Sequence, residues 1–203
     1  MDNALKATAL VCTLKPSPSE SSSDVIAGQV LDELARHGVE GETIRVVDYD
    51  VKPGVEADMG DGDQWPEIAE RIRNSDVLVF ATPTWLGHMS SVAQRVLERL
   101  DAELSNTDEQ GRPAMFGKIA VVAVVGNEDG AHKIIADAHQ GLNDIGFTIP
   151  AQGSTYWNSE AMNPRDFKDL ETTPEAVAST TKTLAANAAH LSSLLAGRQY
   201  PAV

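Results

Sequence analysis

Apolar residues along the chain fall into two kinds of run. Short blocks at Ala7 to Cys12, Thr43 to Val47, Val77 to Ala81 and Ile119 to Val125, with a weaker one at Phe147 to Ala151, are mostly continuous rather than alternating. Strands with that pattern are covered on both faces, as parallel strands between two helical layers are. Between and after them, apolar residues recur at helical spacing over Asp24 to Arg36, Pro66 to Arg73, Val92 to Ala102 and Ala131 to Ile145. Gly38, Asn74 and Gly146 stand where those helices should stop. A last helix is predicted from Pro174 to Ala196, because Pro174 suits a first turn and Val177, Leu184, Ala188, Leu191 and Leu195 form one stripe.

Five strands, each followed by a helix, predict an α/β chain: a three-layer sandwich around a doubly wound, five-stranded parallel sheet. The 203 residues suit one domain, 1–203, with an excursion at 153–173 after the fifth strand. In such sheets ligands bind beyond the C-terminal strand ends. The loops after the first, third and fourth strands are therefore where chemistry is sought.

Charge narrows the partners. Thirty acidic against sixteen basic residues give a formal charge of -14, a field that repels nucleic-acid backbones and anionic lipid. No nucleic acid and no membrane are expected, since no apolar run is long enough to span a bilayer. With no charged-then-apolar leader at the start, a cytoplasmic protein is expected. The acidic excess is densest from Asp48 to Glu70, which reads as a solvated loop and helix start, with a docking surface or ion site as the alternative. One cysteine, Cys12, excludes an internal disulfide and a cysteine-held cluster, and its place in ALVC suits core packing.

The loop after the first strand, TLKPSPSESSS (13–23), is rich in hydroxyls. It reads either as a polar turn capped by Ser22 or Ser23, or as a phosphate nest of hydroxyls, helix N–H groups and the Lys15 cation. The loop after the third strand, TPTWLGHMSS (82–91), puts a large aromatic outside the core, with Ser90 or Ser91 as cap of the next helix. The loop after the fourth, VVGNEDGAH (124–132), brackets three polar residues with glycines, which permit close approach to a flat ligand or merely a tight helix start. Competing motifs fail in detail. Nothing after the first strand matches a G-x-G-x-x-G turn or a Walker loop, and GRPAMFGKI (111–119) has one residue too many between its glycines and leads into a strand. The aspartates of a phosphorylation receiver are missing from ALVCT and VFATP.

Taken together, these three loops resemble the flavodoxin-like FMN-binding proteins, in the branch of the NAD(P)H-dependent FMN and quinone reductases, over about residues 5 to 160. The resemblance implies strand order 2-1-3-4-5. It also implies a phosphate held by Ser17, Ser21, Ser22 and Ser23, with Thr13 and Lys15 where the family's phosphate loop usually has glycine and arginine. Pro83, Thr84, Trp85, Leu86, Gly87, His88 and Met89 would line the ribityl chain and the ring. Gly126, Asn127, Glu128, Asp129, Gly130 and His132 would flank the pyrimidine edge. An aromatic such as Trp85 suits a flavin face, and N–H donors near N1 and O2 stabilise the reduced anion.

His132 is the candidate catalytic residue, as a donor of a hydrogen bond or proton to flavin or substrate. No metal site is expected, because no short His/carboxylate spacing supports one. In the long excursion, Tyr156, Trp157 and Phe167 either anchor it or, for Tyr156 and Trp157, approach the flavin face. The function implied is passage of hydride from NAD(P)H to FMN and on to a quinone, a flavin or another small acceptor, in a homodimer or homotetramer. The alternatives are a flavodoxin-like electron carrier without turnover of its own, and a scaffold that has lost its flavin.

Overall fold

A computed structural model describes residues 4–161 and 163–202. The chain runs β1 (Leu5–Val11), α1 (Ser22–Ala35), β2 (Val39–Arg45), α2 (Trp65–Arg73), β3 (Val77–Trp85), β4 (His88–Met89), α3 (Ser91–Leu100), β5 (Ile119–Gly126), α4 (Ala131–Asp144), β6 (Ser154–Asn158) and α5 (Glu175–Gly197). Five strands pair in parallel in the order β2-β1-β3-β5-β6, and the two-residue β4 folds back antiparallel on β3. Counted by its five parallel strands, this is the flavodoxin-like order 2-1-3-4-5.

Both faces of the sheet are covered, which is why its strands read as continuous apolar runs. On one face Leu10, Leu78, Phe80 and Val122 pack with Trp65, Ile68, Val96 and Ile134 of α2, α3 and α4. On the other, Ala9, Val79, Val121 and Ala123 pack with Ile26, Val30 and Leu34 of α1 and Leu184 and Ala188 of α5. Cys12 lies wholly buried, and the loss of solvent pushes its thiol pKa far up, so it acts as core.

Three element boundaries differ from the sequence reading. The fifth parallel strand is Ser154–Asn158, not Phe147 to Ala151. Pro150 has no N–H to give to a ladder, and Gln152 turns the chain with a φ of 53°, so the earlier stretch leaves only a bridge from Thr148 to Ile119. Strand β2 starts at Val39 and ends at Arg45, with Val46–Asp48 a single 3-10 turn. Strand β3 runs on through Thr82, Pro83 and Thr84 to Trp85, so half of the supposed loop is strand.

The acidic stretch is also less solvated than its composition suggests. Asp63 and Arg99 form an ion pair at 2.8 Å with both side chains fully buried. Arg99 donates further to the carbonyls of Lys52, Glu56 and Ala57, and Asp63 accepts the N–H groups of Lys52, Met59 and Trp65. Burial by itself raises the Asp63 pKa, but Arg99 and the three N–H groups outweigh it and hold the carboxyl well below the usual range. One cation thus organises the loop from 52 to 65.

Candidate functional site

Beyond the C-terminal ends of β1, β3, β5 and β6 lies a cleft of about 410 Å³. Thr13, Leu14, Lys15, Ser21, Ser22 and Ser23 line it from the β1–α1 connection, Pro83 to Leu86 from β3, and Val125 to Glu128 from β5. Trp157 of β6 completes it together with Asp166 and Phe167 of the segment that follows. Its lining runs in the order of the strands, from a hydroxyl-rich end above α1 to an aromatic end above β5 and β6.

At the first end, α1 begins at Ser22 after Ser21, whose extended backbone makes it the cap residue, yet no side chain caps the helix. Ser21, Ser22 and Ser23 at the start of α1, with Lys15, line this end of the cleft. Thr13 Oγ1 accepts the N–H of Lys15 at 3.3 Å and fixes that turn. Ser17 lies elsewhere. Its N–H and hydroxyl both donate to Asp48, at 2.8 and 2.6 Å, in a separate polar recess with Asp24, Arg45 and Tyr49.

The wall on β3 ends in a two-residue hairpin turn. Leu86 and Gly87 both have positive φ, 53° and 72°, as the turn type that matches strand twist requires. Glu128 accepts the N–H of Leu86 at 2.8 Å, and a Cβ on Gly130 would lie 2.7 Å from the Gly87 Cα, so the β5 loop holds the hairpin by direct backbone approach. Trp85 is 52% exposed and Leu86 86% exposed, both beside the cleft. Beneath them Ser90 caps α3, accepting the Ala93 N–H and donating to the Cys12 carbonyl, which ties β1, β3 and α3 together.

Thr84 Oγ1 is buried in the cleft wall without a hydrogen-bond partner among the described residues. Gly126 sits against it, since a Cβ there would lie 2.8 Å from that oxygen.

Of the residues singled out in the sequence, Thr13, Lys15, Ser21, Ser22, Ser23, Pro83, Thr84, Trp85, Leu86, Gly126, Asn127 and Glu128 meet in this one cleft. His88 and Met89 instead face a groove between α3 and α4. Gly87, Asp129 and Gly130 support the walls from behind. His132 is not among the lining residues and lies edge-on against Tyr156 of β6, with ring centroids 5.0 Å apart. The position gives it no contact with the cleft. Leu14, Val125 and Asp166 were not singled out in the sequence, and Phe167 only as an anchor of the long connection, whereas Trp157, offered there as approaching the flavin face, does line the cleft and Tyr156 does not.

Residues 5–161 match the family model described as NADPH-dependent FMN reductase. Over 164 residues the chain is 34% identical to 8-demethyl-8-aminoriboflavin-5'-phosphate synthase of Streptomyces davaonensis, covering 76% of this chain and 63% of that protein. Over 163 residues it is 36% identical to a protein of Mycobacterium bovis named divalent metal cation transporter MntH, covering 78% of this chain. The chain spans only 24% of that transporter, and among the described residues no helix is long and apolar enough to cross a membrane. Among solved structures, RosB with bound 8-demethyl-8-formylriboflavin-5'-phosphate superposes with a TM-score of 0.86 at 29% identity, over 97% of this chain and 82% of that one. An NADH:FMN oxidoreductase, EmoB, shares the fold at 18% identity and a TM-score of 0.64, over 95% of this chain and 90% of that one.

Proposed function

The chain belongs to the NADPH-dependent FMN reductase family, and from that premise we propose that it is an FMN oxidoreductase that takes electrons from NAD(P)H and passes them to a quinone, a flavin or another small acceptor. The observation that carries the reading is the cleft itself. It joins an uncapped helix start, flanked by serines and a lysine, to an aromatic end, which is the shape and polarity of a riboflavin 5′-phosphate.

When bound, FMN supplies a centre that accepts a hydride from a nicotinamide and releases two electrons to a second substrate. With a quinone the balance is NAD(P)H plus one proton plus quinone giving NAD(P)+ plus hydroquinone. The chain's own part is position and solvent control. Ser21, Ser23, Lys15 and the start of α1 would hold the phosphate, and Trp85 would offer its ring to the flavin. Glu128 keeps the hairpin in place through the Leu86 N–H. His132, expected from the sequence as a donor of a hydrogen bond or proton, lies against Tyr156 and is given no role in the step.

A second reading is favoured by the aminoriboflavin phosphate synthase and by RosB with its formylated flavin. There the riboflavin 5′-phosphate would itself be the substrate, altered on its ring. One experiment separates the readings. Protein loaded with FMN is exposed to NADPH without oxygen, and a second sample is incubated with oxygen and an amino acid as nitrogen donor; the flavin of each is then recovered and weighed by mass spectrometry. Fast bleaching with unchanged flavin mass supports the reductase. Slow or absent bleaching points to an electron carrier, and a changed mass to ring modification. Failure of FMN to bind sinks both. The homodimer or homotetramer implied by the resemblance is tested by light scattering of the same sample.

A further inference from the structure

The connection from β1 to α1, TLKPSPSES (13–21), borders two hollows that share no lining residue. Thr13, Leu14, Lys15 and Ser21 line the cleft. Ser17, and Asp24 in the first turn of α1, line the polar recess with Arg45, Asp48 and Tyr49. Pro16 and Pro18 have no N–H to give, so the connection makes few bonds of its own; the Ser19 N–H reaches the Pro16 carbonyl at 3.0 Å.

Its other fastenings come from the end of β2. In the parallel ladder Val11 pairs with Arg45, so Arg45 and the 3-10 turn after it stand level with the residues that leave β1. Arg45 donates to the Ser19 carbonyl at 2.7 Å, reaches that of Lys15 at 3.5 Å, and forms an ion pair with Asp24 through a side chain that is largely buried. Asp48 accepts the Ser17 N–H at 2.8 Å and the Ser17 hydroxyl at 2.6 Å. A cation and an anion thus grip the connection from the recess and leave Lys15 and Ser21 to the cleft. Charge adds to this geometry. An acid such as Asp24 suits an empty helix start, but it repels a dianion that comes to the same turn. Arg45 offsets that charge.

We propose that Arg45 is the positioning residue for the phosphate end of the cleft, with Asp48 as a second anchor of the same connection. The proposal rests on the reading that the cleft binds riboflavin 5′-phosphate. Neither residue lines the cleft, so each acts through the connection and its effect should be confined to the phosphate of the ligand.

The test compares FMN with riboflavin, which share ring and ribityl chain and differ in the phosphate. Dissociation constants for the flavin-free protein are read from quenching of flavin fluorescence. Arg45→Met should weaken FMN by about tenfold or more and riboflavin by less than about threefold. Asp48→Ala, which removes only exposed hydrogen bonds, should weaken FMN by about threefold or more with riboflavin nearly unchanged, and it decides the matter alone if Arg45→Met does not fold. Adding Asp24→Asn to Arg45→Met removes the uncompensated acid and should regain about threefold or more of the lost FMN affinity. Arg73→Met breaks a different ion pair, with Glu103 at 2.7 Å near the start of β3, and should leave the ratio of the two constants within about twofold of the wild type. A ratio within about twofold of the wild type in both Arg45→Met and Asp48→Ala would overturn the proposal and leave the flavin reading intact. An equal shift in Arg73→Met would overturn it too, since any loss of stability would then have the same effect. A wild-type chain that binds neither flavin removes the flavin reading itself, and the proposal with it.

Discussion

Gly87 and Gly130 meet across the cleft's rim, and alanine at each should have different effects for reasons that can be worked out beforehand. At Gly87, φ is +72° and the nearest atom to an added Cβ is the Asp129 carbonyl oxygen at 3.9 Å. Alanine there incurs only the left-handed backbone cost, about 1–2 kcal/mol. At Gly130, φ is +131° and the Cβ would lie 2.7, 2.9 and 3.0 Å from the Gly87 Cα, oxygen and carbonyl carbon. Backbone cannot swing aside as a side chain can. Strain of about 1–3 kcal/mol and overpacking of about 1–3 kcal/mol then add to roughly 2–6 kcal/mol. The chain relieves part of this by pushing the hairpin outward, which breaks the Leu86–Glu128 hydrogen bond and moves Trp85 off the cleft. Thermal unfolding of the ligand-free variants should lower the midpoint by about 2–8 °C for Gly87→Ala and at least about twice as much for Gly130→Ala. FMN titration should show the larger loss of affinity in Gly130→Ala as well. Equal thermal losses, or a Gly130→Ala variant that keeps wild-type FMN affinity, would refute the contact between loop and hairpin as the support of the site.

Two further substitutions probe the ring wall and the acidic loop. Trp85 leaves 52% of its surface exposed, so of its roughly 250 Å² about 130 Å² is open to a ligand, a ceiling near 3 kcal/mol. Trp85→Ala should weaken FMN binding by about tenfold to a hundredfold, with a smaller effect on the ligand-free thermal midpoint, and unchanged flavin retention would dismiss Trp85 as a ring contact. Arg99→Met should cost about 3–5 kcal/mol at neutral pH, because the Asp63 carboxylate then stays buried without its cation. The sign with pH follows from the lowered Asp63 pKa. In the wild type its stabilisation is complete above the unfolded value near about 4 and is lost as pH falls toward the lower folded value. The gap between wild type and variant should therefore narrow in urea titrations below about pH 4, and a gap that widens there would contradict the ion pair.

The fold was legible wherever burial on both faces made a strand unmistakable. Val77–Ala81 and Ile119–Val125 are such runs, and each lies within an observed strand. The fifth parallel strand was misplaced because Phe147 to Ala151 is apolar for another purpose. Phe147 fills the layer beside α4, while STYWN at 154–158 pairs with β5 through alternating, half-buried residues that an edge position allows. An edge strand has one neighbour and less apolar content, so periodicity undervalues it. Strand β2, the other edge, was shortened in the reading for the same reason, its exposed middle being Glu40 to Thr43.

The site was legible where its residues follow central strands closely and obscure where it is assembled from afar. Residues of the β1, β3 and β5 loops could be grouped because topology alone brings those strand ends together. Asp166 could not, since its place depends on Asn127, 39 positions earlier, offering an amide that nothing in NEDG distinguishes from a local cap. His132 illustrates the converse. It stands in the right loop, yet its ring lies against Tyr156 and is not among the residues that line the cleft. A loop's membership of the rim is thus a property of topology, whereas the direction of each side chain is set by packing with neighbours distant in sequence. That is why twelve of the expected cleft residues converge while the histidine does not.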